Sequence, residues 1–247
     1  MPNSYPLAGK QFFLTGSAKV QTIAPLIEQN GGDVFTFPLI ETQEVIKQND
    51  EIKLLESFSY DWLIFTSQNA VSAYVAKLKR FNKQVTNVKA KIAVVGEKTK
   101  EALENHGFTI HFMPTIYSAD VFIEQFDGKG KLLFLKGSLA KNTIVHGTGA
   151  EQWLVYKTVH AQQHIEPFIE ALKQSSNPIV LFASPSAVHA FALHIATKVG
   201  WQTVQVASIG HVTTEALAQY GVLPIVQPST YTMKAVIELL ILEETSK

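Results

Sequence analysis

The sequence predicts an α/β fold, in which parallel β-strands alternate with helices. Short apolar runs alternate along the 247 residues with segments in helical spacing, such as Ala187, Phe191 and Ile195. Several of these runs are apolar on both faces, which is typical of parallel strands covered by helices on both sides. An internal repeat also divides the chain into two similar halves. These observations favour two similar parallel-sheet lobes.

The strand candidates are the apolar runs that are rich in β-branched and aromatic residues. In chain order they are residues 10–15, 33–38, 61–66, 91–95, 109–113, 131–136, 152–159, 178–183, 203–208 and 222–226. Helical spacing fills most of the gaps between them, for example at Ala70, Tyr74 and Leu78. Regular strand–helix alternation of this kind indicates the α/β class.

The internal repeat aligns residues 9–126 with residues 130–242. Its segments "VVGEKTKEAL" and "SIGHVTTEAL" align without gaps, and several matched residues share one offset. These are Gly96 with Gly210, Thr99 with Thr213, Gly107 with Gly221, and Tyr117 with Tyr231. The spacing alone suggests two lobes that follow one another along the chain. A cleft between two such lobes is a common place for a ligand.

Composition excludes several classes of function. Lys plus Arg and Asp plus Glu both number 21, and the resulting zero net charge argues against a general binder of nucleic acid or membrane surfaces. The chain has no cysteine, which excludes disulfides, iron–sulfur clusters and thiol nucleophiles. We find neither a signal peptide nor an apolar run of the roughly 18 residues that span a membrane. We therefore expect a soluble, cytoplasmic and monomeric protein.

Corners between a strand and a helix are rich in Gly, Ser and Thr at equivalent places in both halves. Complete corners lie at Thr66-Ser67, Gly96 to Thr99, Ser184 to Ser186, and Gly210 to Thr213, and partial ones at Gly16-Ser17 and Gly137-Ser138. A helix N-terminus accepts anions through its unpaired N–H groups. Ordinary helix capping explains any single corner. The set as a whole predicts a site for a polyanionic, carboxylated small molecule at the carboxyl ends of the strands.

The ordered set of segments resembles the uroporphyrinogen-III synthase family. The segments are "DWLIFTSQNAV", "VVGEKTKEAL", "VYKT", "VLFASPSAV" and "SIGHVTTEAL", and they cover nearly the whole chain. The resemblance implies two α/β lobes with the active site between them, joined by two crossing strands near residues 34–42 and 154–162. It implies lobe one at 1–38 plus 162–247 and lobe two at 39–161, so each sequence repeat would span both lobes.

The resemblance also implies a reaction of haem biosynthesis. A hydro-lyase of this family converts hydroxymethylbilane, a linear tetrapyrrole with eight carboxylates, into uroporphyrinogen III, with loss of water and inversion of ring D. The terminal hydroxyl leaves to give an azafulvene, and ring D attacks to form a spiro-pyrrolenine that fragments and recloses. No cofactor and no metal are implied. Docking with hydroxymethylbilane synthase (the porphobilinogen deaminase) is left open as a partnership.

Site residues follow from the same resemblance. It implies a catalytic role for Tyr156, whose phenol would donate a hydrogen bond to the leaving hydroxyl; the alternative is a packing aromatic on a half-buried strand. The implied substrate-binding residues are Thr15, Thr66, Ser67, Gly96, Thr99, Lys136, Gly137, Ser138, Ser184, Ser186, Gly210, Thr213 and Thr214. The chain departs from the family at Gly16-Ser17, where many members carry arginine after the threonine. It departs again at Lys136, which lacks the bidentate fork of the family's arginine.

Other functions remain as alternatives. One is a cytoplasmic two-lobed sensor or binding protein for a carboxylated small molecule, and another is a flavodoxin-like electron carrier, which would need FMN. The G-x-G of "HGTGAEQW" lacks a third glycine and a preceding strand, so it is a weak dinucleotide signal. His160 and His164 lie four residues apart without a third ligand in sequence, which favours a surface pair over a metal site.

Overall fold

The computed structural model describes residues 5–16 and 20–246. The chain divides into two compact units. Unit 1 is Met1–Glu41 with Val159–Lys247, and unit 2 is Thr42–Thr158. These bounds differ by three residues at each crossing from the lobes that the resemblance implies. None of the helices in the described part of the chain has the length and apolar character needed to cross a membrane.

The strands of the described residues are short and mostly apolar. In chain order they are β1 (Gln11–Leu14), β2 (Asp33–Thr36), β3 (Ile40–Glu44), β4 (Trp62–Phe65), β5 (Lys91–Val94), β6 (Leu132–Gly137), β7 (Glu151–His160), β8 (Pro178–Phe182) and β9 (Gln205–Ser208). The α/β class that the sequence predicts is confirmed. The units are joined through β3 and β7, which are neighbours in one sheet.

Helices occupy most of the connections between these strands. They are α1 (Ala24–Gln29), α2 (Asp50–Ser57), α3 (Gln68–Arg80), α4 (Glu97–Glu104), α5 (Ala119–Gln125), α6 (Thr143–Thr148), α7 (Ile165–Gln174), α8 (Pro185–Phe191), α9 (Thr197–Val199), α10 (His211–Ala218) and α11 (Met233–Thr245). A π-helical turn, Ala192–Ala196, joins α8 to α9. Single 3₁₀ turns lie at Val20–Ile23, Val85–Asn87, Gln162–His164 and Trp201–Thr203.

The two sheets have equivalent strand orders once the repeat is taken into account. Unit 1 has the order β2-β1-β8-β9, and the second sheet has β3-β7-β6-β4-β5. The repeat aligns β1 with β6 and β4 with β8, so each sheet combines the first half of one repeat with the second half of the other. The chain leaves unit 1 through β3 before it forms β4, the strand of the first repeat that aligns with β8 of the second. The spacing of the repeat alone suggests two consecutive lobes. This exchange of strands explains why the two units are not consecutive in sequence.

Two strand candidates reduce to single bridges. Residues 109–113 pair with β5 only at Phe112, and residues 222–226 pair with β9 only at Val226. Pro114 follows the first run and Pro224 lies within the second, and proline has no N–H to donate to a ladder. For the same reason the expected crossing strand near 34–42 is interrupted at Pro38, between β2 and β3.

Both sheets are apolar on both faces. In unit 1, Phe13 and Val180 pack with α7, α8 and α10 on one face, and Phe12 and Ile179 pack with α1 and α11 on the other. In unit 2, α3 and α4 cover one face, and α5 and α6 cover the other. Burying each such side chain stabilises the fold by about 1.5–3 kcal/mol. The carboxyl ends of the strands are therefore held by a well-packed core.

Candidate functional site

Tyr156 lies on β7 beside the carboxyl end of β6. The two strands pair in register up to Lys136, where a bulge shifts the pairing so that Gly137 lies opposite Tyr156. A Cβ atom added to Gly137 would lie only 2.2 Å from Cζ of the tyrosine ring. Glycine at residue 137 thus lets the ring lie against the backbone of β6, which positions the phenol at this end of the sheet.

The phenol of Tyr156 contacts the helix corner that follows β4. Ser67 is the N-cap of α3, and its Oγ accepts a hydrogen bond from the Ala70 N–H at 3.2 Å. The same hydroxyl donates to Oη of Tyr156 at 3.1 Å. A phenol has one proton and can also accept. Since Tyr156 accepts from Ser67, its own proton remains available to donate to a ligand, which suits general-acid help.

Ser138 follows β6 at the same end of unit 2. Its N–H donates to the Tyr156 carbonyl at 3.1 Å, and its Oγ accepts from the Thr158 N–H at 3.1 Å. The side chain is exposed, so its hydroxyl proton can reach solvent or a ligand. Thr66, which precedes Ser67, is half-buried at the same edge. The structure therefore brings Thr66, Ser67, Gly137, Ser138 and Tyr156 together.

Two of the expected binding residues, Thr15 and Thr99, are buried. Thr15 is fully buried, and its Oγ1 donates to the Leu181 carbonyl at 2.7 Å, which ties β1 to β8. Thr99 is 4% exposed in the first turn of α4. The hydroxyl proton of Thr15 is therefore already donated within unit 1, and the contact expected of Thr99 requires that its buried hydroxyl become accessible. Gly16 is buried, and Ser17 lies outside the described residues.

Unit 1 carries the equivalent corners. Ser184 caps α8 by accepting from the Ala187 N–H at 3.4 Å, and its Oγ lies 3.1 Å from Oγ of Ser186. Gly210 is the N-cap of α10, in extended backbone conformation. A cavity of about 250 Å³ is lined by both corners, including Ser184, Gly210, His211, Thr213 and Tyr231. Thr213 borders this cavity although only 2% of its surface is exposed.

The hydroxyl of Thr214 is already partnered. Its Oγ1 lies 2.6 Å from Oγ of Ser208 and also donates to Oε1 of Gln227. The residue is half-buried. A ligand contact from this side chain would replace one of these hydrogen bonds, so Thr214 is better suited to holding the corner than to binding.

A tyrosine lies over the corner glycine in each unit. The Cβ position of Gly96 is 3.8 Å from Cβ of Tyr117, and that of Gly210 is 2.5 Å from Cδ1 of Tyr231. Both rings are more than half exposed. Each phenol also contacts the residue after the glycine: Tyr117 donates to Glu97 at 3.3 Å, and Tyr231 lies 3.0 Å from Nδ1 of His211. The repeat matches these tyrosines, but our sequence reasoning did not include them in the site.

The corner of α4 differs electrostatically from the others. Glu97 stands in its first turn, whereas α3, α8 and α10 begin without an acidic side chain. The hydrogen bond from Lys100 lowers the pKa of the Glu97 carboxyl, against an opposing effect of burial. A carboxylate at a helix N-terminus occupies the position that favours an anionic ligand. Gly96 is therefore a less favourable anion site than the other corners.

No metal centre is formed among residues 5–16 and 20–246. Groups of three or more potential ligand side chains are absent there. His160 pairs with His194 instead of His164, with Nδ1 and Nε2 separated by 2.7 Å. That distance is typical of a hydrogen bond between two imidazoles.

A sequence model of a protein family described as "Uroporphyrinogen-III synthase HemD" matches residues 21–238. A uroporphyrinogen-III synthase from Chlorobaculum parvum is 30% identical over 212 residues, which cover 79% of this chain and 83% of that protein. A uroporphyrinogen-III synthase from Synechococcus elongatus is 27% identical and covers 85% of this chain and 86% of its own length.

Solved structures agree in fold. A mutant uroporphyrinogen III synthase from Thermus thermophilus superimposes with a TM-score of 0.66 at 17% identity, covering 95% of this chain and 99% of that chain. The uroporphyrinogen-III synthetase from Helicobacter pylori has a TM-score of 0.66 at 19% identity, with the same coverages.

Proposed function

The chain belongs to the uroporphyrinogen-III synthase family, and we propose that it cyclises hydroxymethylbilane with Tyr156 assisting the departure of the hydroxyl group. Family membership makes it a lyase of tetrapyrrole biosynthesis. The observation that carries the assignment of Tyr156 is its hydrogen bond from Ser67 at 3.1 Å. Because the phenol oxygen accepts this bond, its own proton is available to another acceptor, as a hydrogen-bond donor to a leaving hydroxyl requires.

The proposed chemistry places little covalent work on the protein. The pyrrole nitrogen supplies electrons as the C–O bond of the hydroxymethyl group breaks, giving an azafulvene, and the departing oxygen leaves as water. Ring D then attacks through its substituted α-carbon, and the spiro intermediate fragments and recloses with ring D inverted. The protein has to fold the chain, hold its carboxylates and assist the first step. Positioning of this kind can supply a large part of a rate enhancement.

The proposed carboxylate contacts lie at the corners of both units. In unit 2 they are Thr66, Ser67 and Ser138, which are half-buried or exposed, with the backbone of Gly137. In unit 1 they are Ser184, Gly210 and Thr213, which line the cavity of about 250 Å³, and Ser186, whose hydroxyl lies 3.1 Å from that of Ser184. Support comes from their place at the carboxyl ends of parallel strands, beside the switch points between β6 and β4 and between β1 and β8. The N-termini of α3 and α10 add N–H groups without an opposing acidic side chain.

The cellular setting is part of the proposal. We propose a cytoplasmic monomer that receives its unstable substrate from hydroxymethylbilane synthase. The zero net charge gives little electrostatic steering toward such a partner.

The test is an isomer analysis. Hydroxymethylbilane is generated freshly by its synthase, incubated with the chain, and the products are oxidised to porphyrins and separated by chromatography. Spontaneous closure in a sample without the chain gives isomer I. We expect isomer III to dominate when the chain is present. Isomer I alone, together with bound tetrapyrrole, would instead indicate a binding protein or sensor.

A further inference from the structure

Three lysines of unit 2 line one groove. Lys47, Lys53 and Lys136 border a cavity of about 460 Å³ together with Ser138 and the β7 residues Gln152, Trp153 and Leu154. Small-molecule sites usually have volumes of roughly 300–1,000 Å³. We call this feature the lysine groove.

Lys136 is a buried cation without a carboxylate partner among the described residues. Only 9% of its surface is exposed, and its ammonium donates to Oδ1 of Asn142 at 2.9 Å and Oε1 of Gln152 at 3.3 Å. Both acceptors are neutral amides. An ammonium has three donors, so one remains for a further acceptor. Burying an uncompensated charge is unfavourable, and an anion in the groove would relieve that cost.

The two other lysines add positive charge to the lining of the groove. Lys47 is exposed and Lys53 is half-buried. Within residues 5–16 and 20–246, no ion pair involves either of them or Lys136. The lining of the groove therefore combines three ammonium groups and includes no carboxylate side chain. Three carboxylates of one ligand would match this charge.

The groove is open because β3 ends before it. The Ala161 N–H donates to Leu39, and the Val45 N–H donates to Val155, and these bonds bracket an antiparallel pairing of β3 with β7. Residues 152–154 of β7 lie beyond the last of these bonds. This part of the sheet edge is lined by side chains of the groove rather than by a neighbouring strand.

The lysine groove adjoins the edge that carries Tyr156. Ser138 lines the groove, and its N–H is bonded to the Tyr156 carbonyl at 3.1 Å. Glu56 and Glu151 line a smaller neighbouring cavity, which shares Lys53, Gln152 and Trp153 with the groove. Burial, then the hydrogen bond to Glu151, raises the pKa of Tyr60 to about 12, so this phenol stays a donor to that carboxylate. The positively charged groove, which includes Lys53 and Ser138, therefore borders the acidic pair Glu56 and Glu151 on the side of Lys53.

We propose that the lysine groove binds carboxylate side chains of the linear tetrapyrrole, next to the edge at which Tyr156 acts. This inference rests on the proposed function, because only a polycarboxylated substrate supplies several anions from one molecule. Lys47 and Lys53 are then binding residues, and they act on affinity rather than on the chemical step.

The test uses the double variant Lys47→Gln/Lys53→Gln. Neither side chain has an ion pair to lose, so the fold is expected to stay intact. The matched control is Lys79→Gln/Lys129→Gln, which removes the same charge from exposed sites of unit 2 outside the groove. We expect the KM for hydroxymethylbilane to rise about tenfold in the groove variant, as for the loss of two partly exposed ion pairs. Its kcat should stay within about twofold of the wild type, because the substitution spares the transition-state contacts.

A binding measurement separates this inference from the proposed function. Uroporphyrin I, which carries eight carboxylates and undergoes no cyclisation, is titrated against each variant by fluorescence at several salt concentrations. We expect weaker binding and a shallower salt dependence in the groove variant alone, because fewer charges are screened. Equal affinity of both double variants for uroporphyrin I would refute the proposal that the lysine groove binds carboxylates, even if the wild type makes isomer III. If the wild type makes no isomer III, the proposed cyclisation of hydroxymethylbilane is refuted. The uroporphyrin titration then still tests whether the lysine groove binds carboxylates.

Discussion

The ring of Tyr156 lies against the backbone of Gly137, so closely that a Cβ on residue 137 would come within 2.2 Å of the ring. The two residues belong to neighbouring strands, and the bulge between Lys136 and Gly137 sets their register. The position of the phenol is therefore a consequence of sheet geometry. It is sensitive to a single added methyl group.

Gly137→Ala is expected to displace the tyrosine ring and lower turnover by about tenfold or more, since misplaced catalytic groups lose much of their effect. Isomer III formation under saturating substrate measures this loss. A double-mutant cycle with Tyr156→Phe tests the mechanism. If the alanine acts through Tyr156, the double variant is no slower than the slower of the two single variants. Full additivity of the two losses would show that Gly137 acts independently of the ring.

Ser67→Ala removes both the cap of α3 and the hydrogen bond to Tyr156. Ser118→Ala is the matched control, since Ser118 caps α5 in the same unit by accepting from the Val121 N–H at 3.2 Å. Each substitution should lower the free energy of unfolding by about 1 kcal/mol, the usual effect of losing an N-cap. Urea unfolding measures this change. Only Ser67→Ala should also slow isomer III formation, and equal turnover in the two variants would remove Ser67 from the site.

Lys77→Met is expected to destabilise unit 2 strongly. The ammonium of Lys77 is fully buried and lies 2.6 Å from Oδ2 of Asp50 and 3.1 Å from Oε1 of Glu44. Removing one partner of a buried ion pair leaves an uncompensated charge and costs about 3–5 kcal/mol. The free energy of unfolding in urea measures this cost. Lys79→Met, on the exposed side of α3, should change the free energy of unfolding by less than about 0.5 kcal/mol. An equally small effect of Lys77→Met would contradict the stabilising role of the buried ion pairs of Lys77.

The pair His160–His194 predicts a pH dependence of stability. Burial lowers the pKa of His194, and the charges of His160 and Lys198 lower it further. Below the usual histidine pKa of about 6.5, the unfolded chain therefore binds more protons than the folded one, and stability falls as the pH decreases. Thermal unfolding between about pH 8 and 5 should show a smaller fall in His194→Gln than in the wild type. His106→Gln, at an exposed residue, serves as the control and should keep the wild-type dependence.

Most of the fold could be predicted from local patterns, but the exchange of the repeats could not. The apolar runs gave the strand positions because strands buried on both faces have a distinctive composition. The pairing of β1 with β8, across a separation of more than half the chain, depends on tertiary contacts that spacing does not encode. The polar strand β3, "IETQE", was missed as a separate element because it lacks an apolar run.

The site could be predicted in part. The Gly, Ser and Thr corners were visible because helix caps and tight turns need these residue types. The contact between Ser67 and Tyr156 joins residues 89 positions apart, so it follows only from the strand order. The lysine groove was not predicted either, because Lys47, Lys53 and Lys136 are separated in sequence and meet only where β3 ends beside β7.

The most direct test of the central claim is the rate of isomer III formation by Tyr156→Phe. This substitution keeps the ring against Gly137 and removes only the phenol hydroxyl. We predict a loss of tenfold or more in that rate, within or below the usual range of about 10²–10⁴ for general-acid help, with unchanged affinity for uroporphyrin I. Formation of uroporphyrinogen III at the wild-type rate would contradict the role of Tyr156 in the departure of the hydroxyl.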